Sequence, residues 1–234
     1  MAAGWPARDR GGSHKESFEQ TWNAREPLAM RIYFTRHGES HANLLHQISN
    51  RGLVHGLTRQ GREQAGALAH RLRGLPITCI FSSPLLRAIE TSVILAHELD
   101  LGYQVVDALR EFDCGVAEGR SDEDAWRLWR DLFDAWVVHK RWDQRIEGGE
   151  SFYDIRDRFV PFVEGLVDQH GATDAGVLCV SHGGLYWMML PMVLENVDHA
   201  LISRLGFDYV AWIVSELRPG GLFCVEWNGH IVGP

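Results

Sequence analysis

Arg31-Ile32-Tyr33-Phe34-Thr35-Arg36-His37-Gly38-Glu39-Ser40 is the stretch on which the fold of this chain turns. A short β-branched and aromatic run stops at a cluster of charged and small residues, which reads as a strand delivering polar side chains at its carboxyl end. The pattern recurs. Ile77 to Phe81 runs into Ser82-Ser83-Pro84 with Arg87 one turn further on, and Gly176 to Val180 runs into Ser181-His182-Gly183-Gly184.

Helical stripes lie between and after these strands. Thr58 to Leu72 has an N-cap candidate in Thr58 and apolar residues at Ala65, Leu68, Ala69 and Leu72. Ser83 reads as a cap and Pro84 as the first residue of a helix reaching about Leu99. Gln104 to Val106 is a further short strand. Asp122 to about Val138 and Ser151 to Gln169 are helices, the second with a bend expected at Pro161, and another helix follows Gly184. Tyr209 to Leu217 and Gly221 to Trp227 are strand-like, and Arg218-Pro219-Gly220-Gly221 between them is a turn, so they form a hairpin. Strands alternating with helices predict an α/β fold: a three-layer α/β/α sandwich with a mostly parallel central sheet and an antiparallel edge from the C-terminal hairpin.

Residues 1–29 hold four basic and four acidic side chains with no period of 2 or 3.6, and read as a flexible N-terminal extension before a domain of residues 30–234. Met30, directly ahead of the first strand, is a candidate alternative start. At 234 residues, with 45% apolar and 23% charged side chains, the chain suits one globular domain with a full core. No apolar run approaches the ~18 residues of a membrane span, and no signal-peptide pattern precedes Met30. Cys79, Cys114, Cys179 and Cys224 are scattered without a CxxC pair. That speaks against a disulfide framework or zinc ribbon and for a reducing, cytoplasmic compartment. A net charge of −8 disfavours nucleic-acid and anionic-membrane partners, so any anion site must be a local arginine cluster.

In an open α/β sheet, ligands bind beyond the carboxyl ends of the strands, so the three special segments are expected to converge on one pocket. Two histidines and two arginines would meet there: nucleophile or donor chemistry beside planar forks matched to phosphate oxygens.

Arg36-His37-Gly38-Glu39-Ser40 with Asn43 resembles the defining motif of the histidine phosphatase superfamily, whose members are phosphoglycerate mutase-like. So do, in the same order, Leu57-Thr58 with Gly61, Ser82-Ser83-Pro84-Leu85-Leu86-Arg87-Ala88-Ile89-Glu90-Thr91, Glu111 before Gly115 and Glu118-Gly119, Gly149-Glu150-Ser151, and Val180-Ser181-His182-Gly183-Gly184. The resemblance spans Met30 to about Trp227. It implies catalysis by His37, Glu111, Arg36, Arg87 and His182. His37 would take the phosphoryl group, and Arg36, Arg87 and His182 would clamp its oxygens with Asn43 and Gly183 as further binding groups. Glu111 would protonate the leaving alkoxide. Arg36 and Arg87 should hold the His37 imidazole neutral. No cofactor and no metal are called for, and the partner is a small-molecule phosphate ester; a homodimer is left open.

The reaction follows from one departure. Mutases of this family carry lysine and paired arginines after the Glu-Gly pair, whereas here Glu118-Gly119-Arg120 is followed by the acidic run Ser121-Asp122-Glu123-Asp124. Hydrolysis of a phosphomonoester is therefore favoured over mutase-type transfer. A weakly catalytic binding or signalling module is the third alternative, disfavoured by the presence of all five site residues. Trp126, Trp129, Phe133, Trp136 and Trp142 read first as a packed helical face, with one or two of the tryptophans lining the site as the second reading. Arg51, Arg127 and Arg141 are candidates to receive a second anionic group. Glu39 and Glu150 read as structural, and Cys114 as a quiet buried thiol. The remaining ten histidines show no HExxH spacing.

Overall fold

The structure, a computed structural model, describes residues 29–233. All but the last residue of the expected N-terminal extension lies outside them. In chain order the elements are β1 (Arg31–Arg36), α1 (His41–Leu44), α2 (Arg59–Leu72), β2 (Ile77–Ser82), α3 (Leu86–Leu99), β3 (Tyr103–Val105), α4 (Glu123–Val137), α5 (Phe152–His170), β4 (Gly176–Ser181), α6 (Gly183–Val193), α7 (His199–Leu205), β5 (Trp212–Arg218), β6 (Gly221–Trp227) and β7 (His230–Ile231). Single 3-10 turns at Asp107–Leu109 and Gly115–Ala117 link β3 to α4.

The strands form one seven-stranded sheet in the order β3-β2-β4-β1-β5-β6-β7. β3, β2, β4 and β1 are mutually parallel, and β5, β6 and β7 add on antiparallel beyond β1. The expected hairpin is the β5–β6 pair, with Arg218 opposite Gly221. β4 lies between β2 and β1 and is buried at all six positions, as a parallel strand covered on both faces should be.

Strand periodicity sorts the core into two layers. Ile32 and Phe34 of β1 and Val177 and Cys179 of β4 face the cluster built on Phe159, Val163 and Leu166 of α5 and Leu185 and Tyr186 of α6. Tyr33 of β1 and Leu178 and Val180 of β4 face the opposite cluster, with Leu68, Ala69 and Leu72 of α2 and Ala88, Leu95 and Ala96 of α3. This is the three-layer α/β/α sandwich.

Some local details differ from the sequence pattern. Ser83 does not cap α3, whose N-cap is Leu85 without a side-chain bond; the Ser83 hydroxyl accepts from Leu85 N–H at 3.3 Å and turns to a histidine across the sheet. β5 begins at Trp212 rather than Tyr209, because Val210 takes a φ of 51° that no strand tolerates. Pro161 sits inside α5, which runs unbroken to His170.

Candidate active site

The three motif segments leave β1, β2 and β4, which are neighbours in the sheet although not in the chain, so their ends meet. His37 follows β1, its backbone N–H held by Ser181 O at 3.0 Å, and its ring is 3% exposed. His37 Nδ1 lies 2.6 Å from Gly38 O, and Arg87 Nε donates to His37 Nε2 at 3.0 Å. A carbonyl can only accept, so Nδ1 carries the proton and Nε2 the lone pair. Burial first, then Arg87 and Arg36, push the His37 pKa well below its ordinary 6.5.

Two glycines place this loop. A Cβ on Gly38 would stand 2.4 Å from Gly61 O, and one on Gly61 would stand 2.0 Å from Glu39 O. Backbone therefore meets backbone where the His37 segment crosses the first turn of α2. Thr58 caps that turn by accepting from Gly61 N–H, and its hydroxyl donates to Glu39 Oε1 at 2.7 Å, giving Glu39 a structural role.

Arg87, in the first turn of α3, spreads its guanidinium over His37 Nε2, Ser49 O at 2.6 Å and Asn50 Oδ1 at 3.5 Å. Burial lowers its pKa to about 10, so it stays charged at neutral pH. Arg36 donates to Phe207 O at 2.7 Å and lies 4.5 Å from the Tyr209 ring, while its buried Nε has no partner. His182 precedes α6 with its ring centroid 5.1 Å from that of His37. Its Nε2 pairs with Ser83 Oγ at 2.6 Å, and its buried Nδ1 is unpartnered. Burial drives its pKa well down, with Arg87 next.

Glu111 follows the 3-10 turn that Ser181 Oγ ties to the sheet through Leu109 O at 2.6 Å. Its two carboxylate oxygens accept from Phe112 N–H and Gly184 N–H, each at 3.0 Å. Burial raises its pKa above 4.5 against the pull of these N–H groups and of Arg87. A Cβ on Gly184 would lie 2.9 Å from both Glu111 oxygens, so the second glycine of the Gly183-Gly184 pair is what admits the acid.

Arg36, His37, Arg87, Glu111, Asn43 and Gly183 all line one cavity of about 350 Å³. His182 is not itself on the lining, but its ring lies beside that of His37, which is. Asn43 Oδ1 is occupied by Ser40 N–H at 3.0 Å and Ser40 Oγ at 2.7 Å, closing a capping box on α1, which leaves only the amino end of its amide for a ligand. Gly183 lies against the Arg36 guanidinium, where a Cβ would be 3.4 Å from Nε.

The aromatic stripe of α4 divides. Trp136 is fully buried between Phe112 and Phe152, whereas Trp126, Trp129 and Phe133 line the cavity. Arg51, Arg127 and Arg141 do not line it: Arg51 pairs with Asp113 at 2.7 Å and Arg127 with Asp124 at 2.9 Å. Glu150 accepts from Asp113 N–H and pairs with Arg110 and Arg158, a structural role. Cys114 is buried with its thiol pKa raised well above 9.0, and so is inert as a nucleophile.

Sequence reading missed Gln47, Ser49, Asn50, Trp187 and Phe207 on the lining. The Ser49–Asn50 loop has no periodicity; it is held from outside by Glu118, which accepts from Asn50 N–H at 2.8 Å. The Glu118-Gly119 pair was its only signal. Among the described residues no group of three or more His, Cys, Asp or Glu is disposed to hold a metal ion, and no helix is long and apolar enough to cross a membrane.

The model of the histidine phosphatase superfamily (branch 1) matches residues 32–230. A bifunctional protein of Mycobacterium tuberculosis is 32% identical over 217 residues, covering 88% of this chain but 55% of its own length, so the chain spans about half of that relative. A probable phosphoglycerate mutase of Salmonella choleraesuis is 29% identical over 201 residues, covering 80% of this chain and 89% of its own. Among solved structures, a mycobacterial glucosyl-3-phosphoglycerate phosphatase superposes with a TM-score of 0.70 at 27% identity, covering 86% of this chain and 99% of its own.

Proposed function

The chain belongs to branch 1 of the histidine phosphatase superfamily, and from that premise we propose that it is a phosphomonoester hydrolase working through a phosphohistidine on His37. The observation that carries this reading is the tautomer of His37. With Nδ1–H spent on Gly38 O, the lone pair of this cavity-lining ring is at Nε2, where it meets a cation that a phosphate would also seek.

In the first step His37 Nε2 forms a bond to phosphorus as the ester P–O bond breaks. Arg87 and Arg36 balance the charge on the phosphoryl oxygens. The Ser83 hydroxyl already accepts from Leu85 N–H, so donating to His182 Nε2 leaves the orphan Nδ1–H of His182 as a further oxygen donor. The departing alkoxide takes a proton from Glu111, whose raised pKa keeps that proton available. Water then attacks phosphorus, Glu111 carboxylate takes the water's proton, the N–P bond breaks, and inorganic phosphate leaves. No step calls for a metal.

Two facts support hydrolysis over mutase-type transfer. Asp122, in the acidic run after Glu118-Gly119, is the N-cap of α4 and pairs with Arg120 at 2.7 Å. Besides Arg36 and Arg87 the cavity lining carries no cation, and much of it is tryptophan and phenylalanine. The test is phosphate release from p-nitrophenyl phosphate in EDTA by wild type and His37→Ala, with acid-labile, alkali-stable phosphoprotein trapped by rapid quench. Release and trapped label in the wild type alone support the proposal. Isomerisation of 3-phosphoglycerate without release would replace it with the mutase reading, and inertness throughout with the binding-module reading.

A further inference from the structure

Besides its polar groups, the cavity lining carries Trp126, Trp129, Phe133, Trp187 and Phe207, the last held beside Arg36 through its carbonyl. None of the five is fully buried, so each keeps accessible ring surface. Trp129 stacks on Phe133 at 4.9 Å and on Phe112 at 6.3 Å, with interplanar angles of 23° and 25°. Trp126 meets Trp129 edge-on at 6.0 Å, and Phe133 meets Trp187 at 4.3 Å. Trp126 is pinned from the other lip of the cavity, its Nε1 donating to His46 O at 2.8 Å. The wall is thus formed before any ligand arrives, and a flat ring entering it pays little ordering cost.

The charges lining the cavity are as informative. Arg36 and Arg87 are the cations on it among the described residues, and both belong to the phosphate end; no lysine and no third arginine joins them. Apart from His37 and Glu111, the other polar side chains on the lining, Asn43, Gln47, Ser49 and Asn50, are neutral. An ester bearing a second phosphate or a carboxylate would enter an apolar wall without a counter-charge, which costs more than it gains.

We propose that the substrate is the phosphomonoester of an uncharged alcohol carrying an aromatic ring, held by the Trp126–Trp129–Phe133–Trp187 wall. The assignment rests on the phosphatase reading above and narrows it. Burying a phenyl group against this wall should favour such an ester over a small polar one by roughly 30-fold or more in kcat/KM. Truncating one tryptophan of the wall should cut that preference by about tenfold.

The test compares 2-phenylethyl phosphate, glycerol 3-phosphate and 3-phosphoglycerate. The first two are esters of primary alcohols, so leaving-group strength hardly enters. The wild type is expected to rank them in that order, and Trp129→Ala to lower the phenylethyl-to-glycerol ratio chiefly through KM. Trp126→Ala, at the cavity lip, repeats the reading should Trp129→Ala fail to fold, with thermal unfolding measured beside both. A ratio near one, a preference for 3-phosphoglycerate, or a ratio untouched by a folded tryptophan variant would overturn the aromatic assignment and leave the phosphatase standing. Inertness of the wild type on all esters, p-nitrophenyl phosphate included, would bring down both.

Discussion

Arg87 and His37 are joined by a hydrogen bond of 3.0 Å in which the cation donates into the lone pair of the neutral ring. An imidazolium could not accept it, so the contact and the ring's neutral state support each other. The two motifs that supply these residues lie fifty positions apart in the chain.

Arg87→Ala should lower kcat/KM about 10²- to 10³-fold, as loss of a transition-state charge partner does. It also removes the stronger of the two arginine contributions that depress the His37 pKa, so the acidic limb of the kcat/KM–pH profile should move upward in pH. A profile that keeps its acidic limb while activity falls would detach Arg87 from His37.

Glu111→Gln should act on the leaving group. Its cost in kcat/KM, which reports the first step alone, should be about 10²- to 10⁴-fold for an alkyl ester such as glycerol 3-phosphate, and far smaller for p-nitrophenyl phosphate, whose phenolate departs unaided. Equal losses on both would remove Glu111 from the role of proton donor. Its raised pKa also predicts that wild-type activity on alkyl esters falls as pH rises through the folded-state value, which lies above 4.5.

Acid should unfold this protein through its site. His37 and His182 are both held neutral, with pKa values well below 6.5. Above pH 6.5 they are uncharged in folded and unfolded chains alike. Below it the unfolded chain takes up protons that the folded one refuses, so stability drops by up to ~1.4 kcal/mol per pH unit per group until the folded pKa is reached. Glu111 works the other way, losing stability as pH rises above 4.5. Urea midpoints between pH 7 and 5 should fall more steeply for wild type than for the His37→Asn/His182→Asn double variant.

Two glycines of α2 should respond oppositely to alanine. Gly61→Ala drives a Cβ to 2.0 Å from Glu39 O, and should destabilise the fold by more than about 2 kcal/mol while disturbing the His37 loop. Gly66 has nothing within 4 Å of an added Cβ, and Gly66→Ala should stabilise by about 0.5–1 kcal/mol. Chemical denaturation of the two variants side by side checks both signs.

Much of this is legible in the sequence. Buried strands, capped helices and the β5–β6 turn announce themselves by local pattern, and His37, Arg87, Glu111 and His182 by the motifs around them. What was not legible depends on distant partners. Ser83 looks like a cap in isolation, and only the approach of His182 gives its hydroxyl a different use. The tryptophans of α4 share one helical spacing, yet Trp136 meets Phe112 and Phe152 while Trp126 meets open cavity. Spacing assigns a face; it does not say whether the space opposite is filled. Arg51 and Arg127 were plausible anion receptors only until Asp113 and Asp124 were seen beside them.

The position of β4 has a consequence for synthesis. β1 and β2 leave the ribosome early and have no bond to each other; each pairs instead with β4, which begins only at Gly176. A nascent chain shorter than that lacks the strand that joins β1 to β2, and His37 and Arg87 are left to the contacts between α2, α3 and the loops beside them. The sheet that aligns the ends of β1 and β2 is therefore completed only late in synthesis, and a product that stops short of Gly176 carries His37 and Arg87 without it.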